Sequence, residues 1–149
     1  MIAGSGCCDA AAEQRAGLRP LLELRSVRAL ADRGLSDDEL VLVTKLAEAT
    51  VQAARSRDVL AYRRADVTFH LCLLDLTGDP ALSDIARVVL VPDPGCGPGV
   101  RESSHLMAGG AREHRELARM LGDGMVAAAD QLLRLHLSRL PHAISGGGA

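Results

Sequence analysis

Hydrophobic residues recur every three or four positions along most of this chain, which is the spacing of amphipathic helices. In the first such segment, from Leu18 to Gly34, one face carries Leu21, Leu24, Val27, Leu30 and Ala31. In the next segment, the same spacing joins Val43, Leu46, Ala47, Thr50 and Ala54. No segment alternates hydrophobic and polar residues in the way that a half-buried strand does. The pattern therefore predicts an all-α bundle.

Capping residues and helix breakers divide this pattern into separate helices. The sequence SDDE, from Ser36 to Glu39, is a capping box that places acids at the positive end of the second helix. The predicted N-caps of the second, third, fourth and last helices are Ser36, Asp58, Asp79 and Asp123. Gly78 suits the turn before the fourth helix, and Pro80 suits its first position.

The second half of the chain contains one segment that cannot form regular structure. Residues 91–100 include three prolines and three glycines, which predicts a loop. Helix is expected to resume near Ala108 and to continue to about Leu121, and the last helix should end near Leu140. The chain is thus predicted to divide into a disordered leader or linker remnant, one helical domain and a flexible tail, at residues 1–17, 18–140 and 141–149.

The composition excludes several classes of function. The 149 residues carry a net charge of −2, a single Tyr, a single Phe and no Trp, so the chain has neither the basic patch nor the aromatic platforms that nucleic-acid binding needs. Four cysteines without a CxxC pair indicate reduced thiols rather than a disulfide framework. Neither a membrane-spanning apolar run nor a signal peptide is recognisable. A cytoplasmic location is therefore predicted.

Three of the five histidines fall on core-facing stripes of predicted helices. In RADVTFHLCLLD, Asp66 and His70 are four residues apart and so share one face of the third helix. His114 and His136 lie on the hydrophobic stripes of the two later helices. Neutral imidazoles and a carboxylate on facing helices suit Zn²⁺, Ni²⁺, Mn²⁺ or Fe²⁺. The structural alternative remains, because a buried histidine is more often a hydrogen-bonded core residue, and an Asp–His pair is more often a salt bridge.

These residues lie in a wider pattern that resembles the FCD domains, the ligand-binding (FadR C-terminal-type) domains of GntR-family transcription regulators. RADVTFHLCLLDLTGDPAL, from Arg64, is similar to the family's D-x-x-F-H segment and the Gly-Asp turn and helix that follow it. EHRELARMLGDGMVAAADQLLRLHL, from Glu113, is similar to the family's last two helices, with 22 residues from His114 to His136. LRPLLELRSVRALADRGLSDDEL, from Leu18, is similar to its first helix and the capped start of its second.

The resemblance implies an antiparallel bundle of about six helices around a divalent metal, whose ligands would be Asp66, His70, His114 and His136. A small carboxylate effector would complete the coordination of the metal, and Arg19 matches an arginine that can face this ligand. The effector would allosterically control DNA binding by a winged-helix domain in a homodimer. That domain is expected to be missing, because only 17 residues precede Leu18. His105 and His142 match nothing in the family pattern and are expected to be exposed.

The leading interpretation is therefore a metal-dependent, effector-sensing regulatory domain that is not an enzyme. A metal-dependent hydrolase is one alternative, for which Glu113 would be the general base nearest in sequence to a ligand. On a helix, however, Glu113 points about 100° away from His114. A metal-free helical dimerisation module, in which the histidines are simply packed, is the other alternative.

Overall fold

The computed structural model describes residues 5–91 and 103–139, which form six α-helices. In chain order these are α1 (Ser5–Arg33), α2 (Asp37–Ser56), α3 (Val59–Asp75), α4 (Pro80–Leu90), α5 (Ser104–Gly122) and α6 (Val126–Ser138). The described residues contain no strand, which confirms the predicted all-α class. None of the helices is long and apolar enough to cross a membrane.

Three of the four predicted N-caps are confirmed, because each side chain accepts hydrogen bonds from the first turn of its helix. Ser36 Oγ accepts from the amide of Glu39 at 3.2 Å, and Glu39 Oε2 accepts from the amide of Ser36 at 2.8 Å, which completes the capping box. Asp58 and Asp79 accept amide hydrogen bonds in the same way at the starts of α3 and α4. These side chains set where α2, α3 and α4 begin.

Two helices begin earlier than the sequence predicts. α1 begins at Ser5 rather than at Leu18, and it therefore includes most of the segment predicted to be a disordered leader. That segment is rich in Ala and also contains Glu, Gln and Arg, all of which are strong helix formers. α5 begins at Ser104 rather than near Ala108, because the hydroxyl of Ser103 caps it.

The predicted N-cap at Asp123 is wrong. α6 follows Met125, which makes no side-chain cap hydrogen bond. Asp123 instead ends α5, since its amide donates to the carbonyl of Arg119 at 3.0 Å and its carboxylate accepts from the Arg119 guanidinium at 2.7 Å. Gly124 follows with a φ of 68°, a conformation that glycine adopts without strain. The turn at Gly124 therefore separates Asp123 from the helix that it was expected to cap.

Some predictions concern parts of the chain outside the described residues. They are most of the predicted loop at residues 91–100, the last residue of the predicted final helix, and the tail with His142. The described ends on either side agree with the predicted limits, because α4 ends at Leu90 and α6 ends at Ser138.

The main hydrophobic core joins five helices and surrounds the buried histidines. Phe69, at the centre of α3, is fully buried. Its partners in this core come from α1, α2, α5 and α6 and include Leu30, Val43, Leu121 and Leu133. The side chains of His70, His114 and His136 are also buried, and the ring centroids of Phe69 and His114 are 4.5 Å apart. The three imidazoles therefore lie within the core.

Two neighbouring glycines of α5 provide a matched test of the packing beside these histidines. A Cβ at Gly110 would overlap the Tyr62 hydroxyl, whereas a Cβ at Gly109 would meet no atom within 4 Å. Because alanine is the better helix former, Gly109→Ala is expected to raise the free energy of unfolding by about 0.5–1 kcal/mol. Gly110→Ala is expected to lower it by about 1–3 kcal/mol, because Tyr62 must move. Urea denaturation measures both changes, and equal stabilisation by the two variants would contradict the described position of Tyr62.

Candidate metal centre

Four side chains from three helices converge at one point in the core. α3 contributes Asp66 and His70, which lie one turn apart on the same face, and the other two are His114 of α5 and His136 of α6. The Nε2 atom of His70 lies 3.1 Å from that of His114 and 3.2 Å from that of His136. The Nε2 atoms of His114 and His136 are 3.3 Å apart. Asp66 Oδ1 lies 3.2 Å from Nε2 of His114. The structure therefore brings together all four residues that the sequence singled out.

Two of the three imidazole rings are oriented by a carboxylate at the opposite ring nitrogen. Glu23 Oε2, on α1, lies 2.6 Å from Nδ1 of His70, an ion-pair contact whose angles are not those of a hydrogen bond. Glu113 Oε2, on α5, accepts a hydrogen bond from Nδ1 of His136 at 2.8 Å. An ionised carboxylate only accepts hydrogen bonds and would repel an unprotonated nitrogen at either distance, so Nδ1 carries the hydrogen in each ring. In the neutral rings, Nε2 is therefore left with a lone pair that is directed into the cluster.

The third ring is oriented by a buried hydroxyl group. Thr50 Oγ1, on α2, lies 3.1 Å from Nδ1 of His114 and donates its own proton to the carbonyl of Ala47 at 2.7 Å. Because a hydroxyl has a single proton, Oγ1 must accept from Nδ1 of His114. The Nε2 atom of His114 is then a lone-pair nitrogen as well.

When all three rings are neutral, the cluster thus contains three lone-pair nitrogens and a carboxylate oxygen, with no hydrogen-bond donor between them. These nitrogen and oxygen atoms repel one another unless a cation lies between them. Nitrogens bound to a single ion at about 2.0–2.1 Å stand about 3.0–3.4 Å apart. The Nε2 separations of 3.1–3.3 Å agree with this geometry. The donor set and its spacing therefore fit Zn²⁺, Ni²⁺, Mn²⁺ or Fe²⁺.

Without a metal, His70 is the ring that would take up a proton and supply the positive charge. Burial disfavours the charged form of His70, but the Glu23 and Asp66 carboxylates outweigh burial and raise its pKa to about 9. Burial lowers the pKa of His114 to about 4, despite the nearby Asp66. Burial also opposes ionisation of Glu23, but the charges of His70 and Arg19 outweigh it and lower the pKa of Glu23 to about 2. A metal ion that entered the cluster would take the place of the His70 proton.

A cavity of about 430 Å³ opens beside the cluster. Its inner part is bordered by Asp66 and by the buried side chains of Tyr62 and His136. Its outer part is bordered by the exposed side chains of His105, Arg112 and Arg139. His105 is exposed, as predicted, but the sequence did not predict that it lies at this cavity. A small molecule in the cavity would approach the cluster from the side of Asp66 and His136.

Arg19 lies against the carboxylates of the site and does not line this cavity. Its guanidinium donates through Nε to Glu23, and its Nη2 atom lies 3.8 Å from Asp66 Oδ2. Nη2 is buried and makes no hydrogen bond with any described residue. One donor of Arg19 is therefore still unsatisfied at the edge of the cluster.

The sequence did not predict that three further side chains, those of Glu23, Thr50 and Glu113, orient the imidazole rings. Glu23 had a usable signal, because it precedes Val27 by four residues and Leu30 by seven, and so places a charge on an apolar helix face. Thr50 belongs to the predicted stripe of α2, where a hydroxyl among apolar side chains is a weaker signal. Glu113 enters the sequence analysis only as a general base, whereas its carboxylate contacts His136.

The comparisons with known proteins give one family. A family model described as the FCD domain matches residues 16–139, so the chain belongs to the FCD family. The structure of E. coli McbR/YncC is similar, with a TM-score of 0.71 and 20% identity over 84% of this chain and 59% of that chain. The metal-free FCD domain of TM0439 is also similar, with a TM-score of 0.63 and 17% identity over 87% of this chain and 88% of that chain. Among curated protein sequences, there is no match.

Membership of this family defines the class of the protein. FCD domains are effector-binding regulatory domains of GntR-type transcription regulators and are not enzymes. The predicted resemblance, and the prediction that the chain is not an enzyme, are thereby confirmed. The two solved structures share the fold of this chain, and the chain spans 59% of the length of McbR/YncC.

The hydroxyl behind His114 can be tested with a pair of threonine variants. Thr50→Val removes the acceptor for Nδ1 of His114 with little change in shape, and it is expected to weaken Zn²⁺ binding by about 10–100-fold. Thr68→Val is the control, because Thr68 is an exposed residue of α3 whose hydroxyl bonds only to its own helix. Competition with a chromophoric chelator measures both affinities. Equal Zn²⁺ affinities for the two variants would contradict an orienting role for Thr50.

Proposed function

We propose that this domain senses a small organic acid through a divalent metal held by Asp66, His70, His114 and His136. The observation that carries the proposal is the set of three Nε2 atoms that face one another within 3.3 Å, each made a lone-pair nitrogen by a partner behind its ring. A packed but non-binding histidine core has no need for three such nitrogens at one point. The bound metal would supply the positive charge that this arrangement requires.

The ligand is proposed to bind from the cavity that borders Asp66 and His136. Four protein ligands leave positions open on a six-coordinate divalent ion, and a carboxylate is a suitable oxygen donor for them. When bound, the metal attracts and orients a carboxylate without any covalent chemistry. Arg19 is proposed as an additional carboxylate partner, because its buried Nη2 atom has an unused donor beside Asp66.

Occupancy of this site is proposed to control DNA binding by a winged-helix domain within a cytoplasmic homodimer. A ligand shifts an equilibrium between two conformations only when it binds one of them better. The proposed metal ligands come from α3, α5 and α6, so the acid would bind most tightly to one arrangement of these three helices. That difference in affinity is the proposed source of allosteric control.

The two alternatives have less support. A hydrolase would need a carboxylate free to act as a base, but Glu113 is already bonded to Nδ1 of His136 and to Arg139. The FCD family is also a family of regulatory domains. A metal-free dimerisation module would bury three converging lone-pair nitrogens with only a proton to offset the repulsion between them.

Metal removal tests the proposed function directly. In the wild-type protein, Zn²⁺ at about one hundred times its Kd is expected to stabilise the fold by about 2.7 kcal/mol, and EDTA is expected to abolish this gain. Calorimetric titration with a panel of small organic acids should detect binding only to the metal-loaded protein. His136→Ala is expected to lose both the metal and the acid binding.

His105→Ala is the control for metal content, because His105 is exposed and lies outside the cluster. Circular dichroism establishes that each variant is folded. If His136→Ala kept the melting temperature, the metal content and the acid affinity of the wild type, the proposed function would be wrong.

A further inference from the structure

The cavity beside the cluster differs in charge between its two ends. At the inner end, His136 and Tyr62 are buried and Asp66 is half-buried. At the outer end, three exposed basic residues line the cavity: His105, Arg112 and Arg139. A ligand that fills the cavity therefore meets the proposed metal at one end and a cationic rim at the other.

The carboxylates that line the cavity do not neutralise this rim completely. Asp66 belongs to the cluster, and Glu113 is shared between Nδ1 of His136 and the guanidinium of Arg139. Arg112, in contrast, makes no ion pair with any residue in the described part of the chain. Within the described residues, its five N–H donors are thus unused, in a geometry that matches a carboxylate.

The α5 helix leaves open space beside Arg112. His105, Gly109 and Arg112 are separated by four and three residues, so they lie on one face of the helix. A Cβ at Gly109 would meet no atom within 4 Å, which means that the space between the two basic side chains is open. The cavity volume of about 430 Å³ falls within the usual range for small-molecule sites.

We infer that the cavity takes an acid with two anionic groups, of which a dicarboxylate is the simplest. One group binds at the metal, and the second is held at the rim by Arg112 with His105. The inference rests on the proposed function, because it requires the metal at the inner end. An acid with a single carboxylate would fill the inner end and leave the charge of Arg112 exposed to water.

Matched acids of equal length test the second anionic group. Succinate is compared with butyrate, and glutarate with valerate, by calorimetric titration into dialysed, Zn²⁺-loaded protein. In at least one pair, the diacid is expected to bind about tenfold more tightly than the monoacid, because it gains a charge-assisted hydrogen bond at the rim. Equal affinities within both pairs would overturn the inference.

Arginine variants locate the source of this preference. Arg112→Gln is expected to bring the diacid affinity close to that of the monoacid while the monoacid affinity stays unchanged. Arg25→Gln is the matched control, because it makes the same change in net charge at an exposed residue of α1 that does not line the cavity. It should keep the full preference for the diacid. Equal weakening of both acids by Arg112→Gln would also overturn the inference.

The two proposals fail in distinguishable ways. EDTA-sensitive binding of the monoacids without any diacid preference would overturn the dianion inference and leave the metal-dependent function standing. No EDTA-sensitive binding of any acid would overturn the metal-dependent function itself.

Discussion

Three lone-pair nitrogens that face one another inside a hydrophobic core are the constraint on which the centre of this bundle depends. Each ring is held from behind by a residue on another helix, namely Glu23 on α1, Thr50 on α2 and Glu113 on α5. With the cluster itself, five of the six described helices contribute a side chain to this arrangement. Because the nitrogens and the carboxylate repel one another without a cation, the charge at the centre affects the stability of the packing of these helices.

In the proposed function, this constraint connects a small acid to the shape of the domain. The cavity meets the cluster at Asp66 on α3 and His136 on α6, and Glu113 links His136 to Arg139 near the end of α6. An acid bound at the metal would therefore act on groups that are attached to helices on both sides of the cavity. Its preference for one arrangement of those helices is the physical step between ligand binding and regulation.

The resemblance to FCD domains implied the set of four ligands, whereas helical periodicity was enough only to place His114 and His136 on the same faces as core leucines. It was not enough to predict the role of Glu23, since the partner of that carboxylate depends on which face of α1 meets α3. Asp123 shows a local ambiguity, because an aspartate between two glycines can end one helix or begin the next. Here its amide bonds to the carbonyl of Arg119, and Gly124 makes the turn that follows. Because the cavity is formed by side chains from three helices, no local sequence pattern predicts it.

The central claim is that the four converging side chains hold a metal, and elemental analysis of the purified protein tests it most directly. Mass spectrometry of the native protein, followed by metal analysis of the same sample, measures the number of ions for each chain. The account predicts about one divalent transition-metal ion per chain, which is lost in the His70→Ala and His114→Ala variants. Protein that contains no metal as purified, and that binds none of Zn²⁺, Ni²⁺, Mn²⁺ or Fe²⁺ when they are added, would contradict it.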